Sequence, residues 1–197
     1  MGSIADNIAE IRNNIALAKV KSPNSEQDIT LVAVTKMHGV EEIKEVLACG
    51  QTLLGENRVQ ELLDKYDAVG DGATWHIIGH LQSNKVKYIT DKVAMIHSLE
   101  SESLAKELSS RMQALGKTMD CLVQVNITDE ESKFGLEKTA VVPFLQQVSQ
   151  MPVMLLRHRP TTTFPVRYRY RIFPIFRTVK LNLKSAIPIW YWLILTK

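Results

Sequence analysis

Residues 29–36, Ile29-Thr30-Leu31-Val32-Ala33-Val34-Thr35-Lys36, decide how the rest of the chain is read. The run is β-branched or apolar at nearly every position and ends on a lysine. A strand with one wet face alternates apolar and polar side chains. A near-continuous run belongs to a strand covered on both faces, the usual state of a parallel sheet. Parallel neighbours need long crossovers, which are normally helices. The flanking sequence supplies them. Ile4, Ile8, Ile11, Ile15 and Ala18 recur at spacings of three and four, one face of a helix over 4–19, before Pro23-Asn24-Ser25 breaks it. Residues 40–49 repeat the helical pattern, with Gly50 as the C-cap.

The alternation continues outward. A short strand is predicted over 51–55, a helix over 59–68 ended by Gly70, and a strand over 74–79. A short basic helical stretch follows over 85–90, then a strand over 95–99 and a helix over 103–114 closed by Gly116. A fifth strand over 121–127 and a helix over 139–149 complete the pattern. Repeated βαβ units make an α/β protein with a parallel sheet. Right-handed crossovers leave two closures, a doubly wound open sheet or a (β/α)8 barrel. No G-x-G-x-x-G and no Walker A sequence is present, which weakens nucleotide-binding readings. In either closure a ligand sits at the C-terminal ends of the strands. The informative residues are therefore Lys36, Glu56-Asn57-Arg58, His80, and Asn126 onward.

The length, 197 residues, suits one globular domain, but the charge is not spread evenly. All 21 Asp and Glu lie at or before Glu137, whereas 9 of the 24 Lys and Arg fall in the last 43 residues. The formal net charge of +3 averages these unlike parts. Beyond Met151 the helical period fails and five prolines interrupt the chain. Val153–Leu156 stands in for a sixth strand, and Arg and Tyr alternate over 166–172 as in an edge strand. We expect a domain over 1–152 and a divergent basic tail over 153–197. A shifted reading frame after about residue 152 would explain the joint loss of Asp, Glu and Gly. A native divergent tail, or a basic module for nucleic acid or anionic membrane, are the alternatives. Met1–Lys21 is polar and amphipathic, unlike a signal peptide, and the longest apolar run, Ala186–Leu195, is half the roughly 20 residues a spanning helix needs. The expectation is a cytoplasmic protein with no membrane partner. Cys49 and Cys121 read as buried free thiols.

Lys36 emerges at the rim directly after the most apolar strand. Partial desolvation favours the neutral, nucleophilic amine, which condenses with an aldehyde to a Schiff base. The plainer reading is a lysine whose head reaches water. Glu56, Asn57 and Arg58 offer an anion, an amide and a cation at the same rim, or else a helix N-terminus with Asn57 as N-cap. His76 and His80 are four apart, one strand face without a third ligand, so no metal site is assigned. Lys85 and Lys87, with Gln82, Ser83 and Asn84, form a polar basic loop, or a solvated helix start. No Ser-His-Asp or Cys-His set assembles, and no catalytic residue is assigned.

In order, these pieces resemble the YggS/PROSC family, the pyridoxal phosphate homeostasis proteins. The resemblance is carried by Leu31–Lys36 (LVAVTK), Gly55–Glu61 (GENRVQE), Trp75–Lys85 (WHIIGHLQSNK), Val123–Asn126 (VQVN) and Lys133–Leu136 (KFGL). It covers about residues 4–150. It implies a single (β/α)8 TIM-type barrel like the alanine racemase N-terminal domain. It also implies pyridoxal 5′-phosphate held as a Schiff base on Lys36, with Asn57 near the ring and His80, Lys85 and Lys133 along the rim. Family members bind and deliver the cofactor and balance vitamin B6 pools without established turnover. That implies a monomer whose partners are pyridoxal phosphate and the pyridoxal phosphate-dependent enzymes that receive it, with no nucleic acid. The family's later Gly-Leu-Met-Thr-like, Ser-x-Gly-Met-Ser and Arg-x-Gly-Ser/Thr segments, the last two forming the phosphate cup, have no counterpart here. The barrel is thus expected to be incomplete, without its native last strands, and phosphate anchoring to be weak, with Arg157, Arg159 or Arg167 as incidental cations. Two further readings stand beside this one: a pyridoxal phosphate-dependent amino-acid racemase, which would need a second domain to face Lys36 with a base, and an anion-binding basic tail.

Overall fold

A computed structural model describes residues 3–22, 29–126, 134–152, 154–156 and 189–194. Helix α1 (Ile4–Val20) opens on a capping box. Ser3 Oγ accepts the Asp6 N–H at 3.1 Å, and the Asp6 carboxylate accepts the Ser3 N–H at 3.0 Å. Its apolar face points inward as predicted, with Ile8 buried and Ile4 and Ile11 packed against the core. Next come β1 (Ile29–Val34), α2 (Val40–Ala48), β2 (Leu53–Glu56), α3 (Val59–Val69) and β3 (Thr74–Ile77). They are followed by β4 (Val93–Leu99), α4 (Glu102–Ala114), β5 (Met119–Val123), α5 (Val141–Val148), β6 (Met154–Leu156) and β7 (Ile189–Ile194).

The strands form one sheet in the order β6-β5-β4-β3-β2-β1-β7, and every pairing is parallel. From β1 to β6 the spatial order is the sequence order. A doubly wound sheet reverses direction at a switch point; a barrel never does. The order therefore selects the barrel-type winding. β6 and β7 do not pair among the described residues, so the sheet is an open arc of a barrel. β7 is a strand the sequence pattern did not predict. It arises inside the apolar run 186–195 and pairs with β1 along six positions, from Ile29↔Ile189 to Val34↔Ile194. It lies beside β1, where the last strand of a closed barrel would lie. The alternating stretch 166–172 lies outside the described residues.

β1 confirms its reading. Val32, Ala33 and Val34 are all buried, hence covered on both faces. Ala33 packs in a core with Ile43, Val46, Leu54, Leu62, Trp75, Ile77, Ile96, Leu104 and Leu108. Each buried Val, Leu or Ile side chain contributes about 1.5–3 kcal/mol by leaving water. Some boundaries differ from the pattern. β2 starts at Leu53: the Gln51 N–H still donates to the Val46 carbonyl at 3.3 Å at the end of α2, and its buried side chain is a tie, Nε2 donating to the Leu31 carbonyl at 2.8 Å and the Leu53 carbonyl at 3.0 Å. β5 starts at Met119, two residues early, with Asp120 inside the ladder opposite Met95. The basic stretch forms a 3-10 turn over Ser83–Tyr88.

Candidate functional site

Lys36 follows β1 by two residues and is half-buried. Asn57 directly follows β2 and is also half-buried. His80 lies three residues beyond β3 and is exposed. Three neighbouring parallel strands thus deliver an amine, an amide and an imidazole to one rim. Adjacent strands lie about 4.8 Å apart, so the ends of β1 and β3 are separated by roughly 10 Å, the span of a small aromatic ligand. The backbone beside His80 comes unusually close to Asn57. A Cβ on Gly79 would lie 2.6 Å from the Asn57 carbonyl oxygen, so only glycine fits.

Glu56 is not the free rim anion its position suggested. Its side chain is fully buried, and Oε1 accepts from Thr35 Oγ1 at 2.7 Å and from Lys65 Nζ at 2.7 Å. Lys65 also donates to the Thr35 carbonyl at 2.8 Å and stands 3.7 Å from Glu61. Glu61 Oε2 accepts the Met37 N–H at 3.0 Å. Met37 has φ 64°, the left-handed region that a non-glycine residue seldom enters. Lys65 was not singled out from the sequence. The available signal was its i+4 spacing from Glu61 on a helix leaving the same rim. Nor is Asn57 the N-cap of α3; Arg58 holds that place, without a side-chain cap bond.

His76 and His80 do not share a strand face, because β3 ends at Ile77. His76 is buried, and its Nδ1 lies 3.0 Å from His97 Nε2 on β4. Burial, opposed by the nearby Asp120 charge, lowers the His76 pKa from 6.5 to about 4, so it is neutral at neutral pH. His80 Nδ1 stands 2.5 Å from Glu100 Oε1, just beyond β4, and its ring stacks on Phe134 with centroids 4.0 Å apart. Asn126 is buried beyond β5, its N–H donating to the Leu136 carbonyl at 2.9 Å. Lys85 and Lys87 are exposed, each over the Tyr88 ring at 5.8 and 4.9 Å. Cys121 is buried, and burial pushes its thiol up to about 12, while Cys49 is half-buried; both are free thiols. Among the described residues no group of three or more His, Cys, Asp or Glu could hold a metal, and no helix is long and apolar enough to cross a membrane. Lys133, Arg157, Arg159 and Arg167 lie outside the described residues.

This donor set suits an aldehyde attached to a planar polar ring. Of the three groups, the half-buried amine is the one that can bond to an aldehyde. Comparison with known proteins points the same way. The family model for the alanine racemase N-terminal domain matches residues 7–168. The pyridoxal phosphate homeostasis protein of Escherichia coli is 32% identical over 195 residues, covering 95% of this chain and 83% of the relative. That of Pasteurella multocida is 31% identical over 192 residues, covering 94% and 82%. The structure of PipY from Synechococcus elongatus with pyridoxal phosphate bound superposes with a TM-score of 0.67 at 32% identity, covering 79% of this chain and 68% of that one. Clostridium difficile alanine racemase, at 17% identity and a TM-score of 0.53 over 73% of this chain and 40% of that one, shares the fold.

Proposed function

The chain belongs to the alanine racemase N-terminal domain family, in the branch of the pyridoxal phosphate homeostasis proteins, and on that premise we propose that it binds pyridoxal 5′-phosphate at Lys36 and serves vitamin B6 homeostasis. The observation that carries this is the placement of Lys36 at the C-terminal mouth of β1, in a sheet that superposes on a relative holding the cofactor. When bound, pyridoxal phosphate supplies an aldehyde that reacts reversibly with a lysine amine.

Lys36 provides that amine from a half-buried position, where competing water is thinned. Asn57 presents its amide from the neighbouring strand end and orients the ring. His80, held by Glu100 through Nδ1, directs its other nitrogen away from the carboxylate, a polar contact for the ring's far side. Phe134 stacked on His80 keeps the imidazole plane in place. We assign the binding domain to 1–152, with the tail from 153 divergent in sequence. The protein works as a cytoplasmic monomer that hands the cofactor to pyridoxal phosphate-dependent enzymes and turns over no substrate itself.

Titration with pyridoxal phosphate, followed by visible absorbance, tests the reading. Saturable uptake by the wild type that is lost in Lys36→Ala and weakened in Asn57→Ala supports it. No uptake by the wild type at millimolar cofactor refutes it. An alanine-exchange assay on the loaded protein separates a carrier from a racemase: D-alanine formed from L-alanine would overturn the carrier assignment.

A further inference from the structure

The residues on either side of Lys36 are held more tightly than their position at a strand end requires. Thr35 is gripped at every polar atom. Its N–H donates to the Gly55 carbonyl at 3.1 Å, its hydroxyl donates to Glu56, and its carbonyl accepts from Lys65 at 2.8 Å and from the His38 N–H at 3.1 Å. On the far side the Met37 N–H is held by Glu61. Lys36, between them, is half-buried. A turn alone does not need these bonds. The ion pair of Lys65 and Glu56 is desolvated on both partners, and such pairs are weak contributors to stability beside an apolar replacement. Met37 adds a left-handed backbone, which costs about 1–2 kcal/mol for a side-chain-bearing residue. Met37 is 85% exposed, so packing of its side chain does not explain why it occupies that region. Strain of this kind persists where the surroundings over-determine the backbone, and it gathers at functional sites.

We propose that Glu61, Lys65 and Glu56 are positioning residues that fix the Thr35–Met37 backbone and so hold the Lys36 amine in register with the rim for capture of pyridoxal phosphate. The proposal rests on the cofactor reading given above and adds a second layer to it. The three side chains touch the lysine's neighbours and do no chemistry. Their effect is entropic and geometric: an amine whose root is pinned loses less freedom when it becomes bonded. Glu61 is the informative member. It is partly exposed, and the N–H it holds can turn to water if the carboxylate is removed, so its loss spares the fold.

The experiment compares Glu61→Ala, Glu61→Gln and wild type in three measurements. These are pyridoxal phosphate affinity from visible absorbance, hydrogen exchange of the Met37 amide without cofactor, and the thermal midpoint. Glu61→Ala should weaken affinity about tenfold, the size of one charge-assisted hydrogen bond, and speed Met37 exchange, while the midpoint stays close to wild type. Glu61→Gln, which keeps an acceptor oxygen, should recover most of the affinity. Lys65→Arg, which keeps the charge and donors, should bind better than the double variant Lys65→Met with Glu56→Gln, which leaves no charge buried alone. Wild-type affinity in Glu61→Ala overturns the proposal, as does a loss of affinity that only tracks a fallen midpoint. Failure of the wild type to take up cofactor refutes the underlying reading and the proposal with it. Uptake that depends on Lys36 but not on Glu61 refutes the positioning role alone.

Discussion

The two halves of the rim are built in opposite ways. At the ends of β1 and β2, charged side chains grip the residues beside Lys36: Lys65 donates to the Thr35 carbonyl, Glu61 accepts the Met37 N–H, and buried Glu56 accepts the Thr35 hydroxyl. At the ends of β3 to β5, side chains hold one another near solvent. His80 pairs with Glu100 and stacks on Phe134, which is 58% exposed. Below them His76 and His97 form a buried pair inside the sheet. The first arrangement fixes a backbone. The second ties side chains to one another. Under the proposed function one end would bond the cofactor and the other would contact its ring, and the two constructions match that division.

The comparison breaks most visibly at Lys65. Lys65→Met strands the Glu56 carboxylate in the core and should cost about 3–5 kcal/mol by urea unfolding, whereas Lys65→Met combined with Glu56→Gln should recover much of it. A cost within error of zero for the single change would mean that the β1–β2 half is not locked as described.

The other half is sharpened by pH. His76 has a folded pKa lowered from 6.5 to about 4, so the unfolded chain binds the extra proton first. Its contribution is fully present above pH 6.5 and is lost as pH falls toward 4. The loss should approach about 3 kcal/mol. Urea midpoints measured across that range should fall steeply for wild type and more gently for His76→Gln. Equal slopes would remove His76 as the cause.

The smallest effect returns to the first half. Met37→Gly relieves the left-handed strain at an exposed position and should raise stability by about 1 kcal/mol. A destabilised variant would show that the turn is not strained there.

Most of this architecture was legible because burial writes a period into the sequence. The unbroken apolar run of β1 announced a strand covered on both faces, and the three-and-four spacing of Ile4, Ile8 and Ile11 announced the helix before it. Strand ends were less legible, since they depend on single ties. The Gln51 N–H bonding back to Val46 delays β2, and Asp120 inside the ladder hides the start of β5. The rim position of Lys36 followed from the strand, but the roles of its neighbours did not. Glu56 looked like a rim anion because nothing local reveals that Thr35, 21 residues earlier, takes its oxygen. His80 looked to share a strand face with His76 because the end of β3 and the tight approach of Gly79 to Asn57 are properties of packing. β7 was hidden in a tail rich in proline and basic residues, where an apolar run carries no period to read.

Reductive trapping tests the central claim most directly. The full chain is incubated with pyridoxal phosphate, reduced with borohydride, digested and mapped by mass. A stoichiometric pyridoxyl-phosphate mass is expected on the peptide containing Lys36 and on no other lysine. Trapping spread over surface lysines such as Lys85 and Lys87, with Lys36 unmodified, would contradict it.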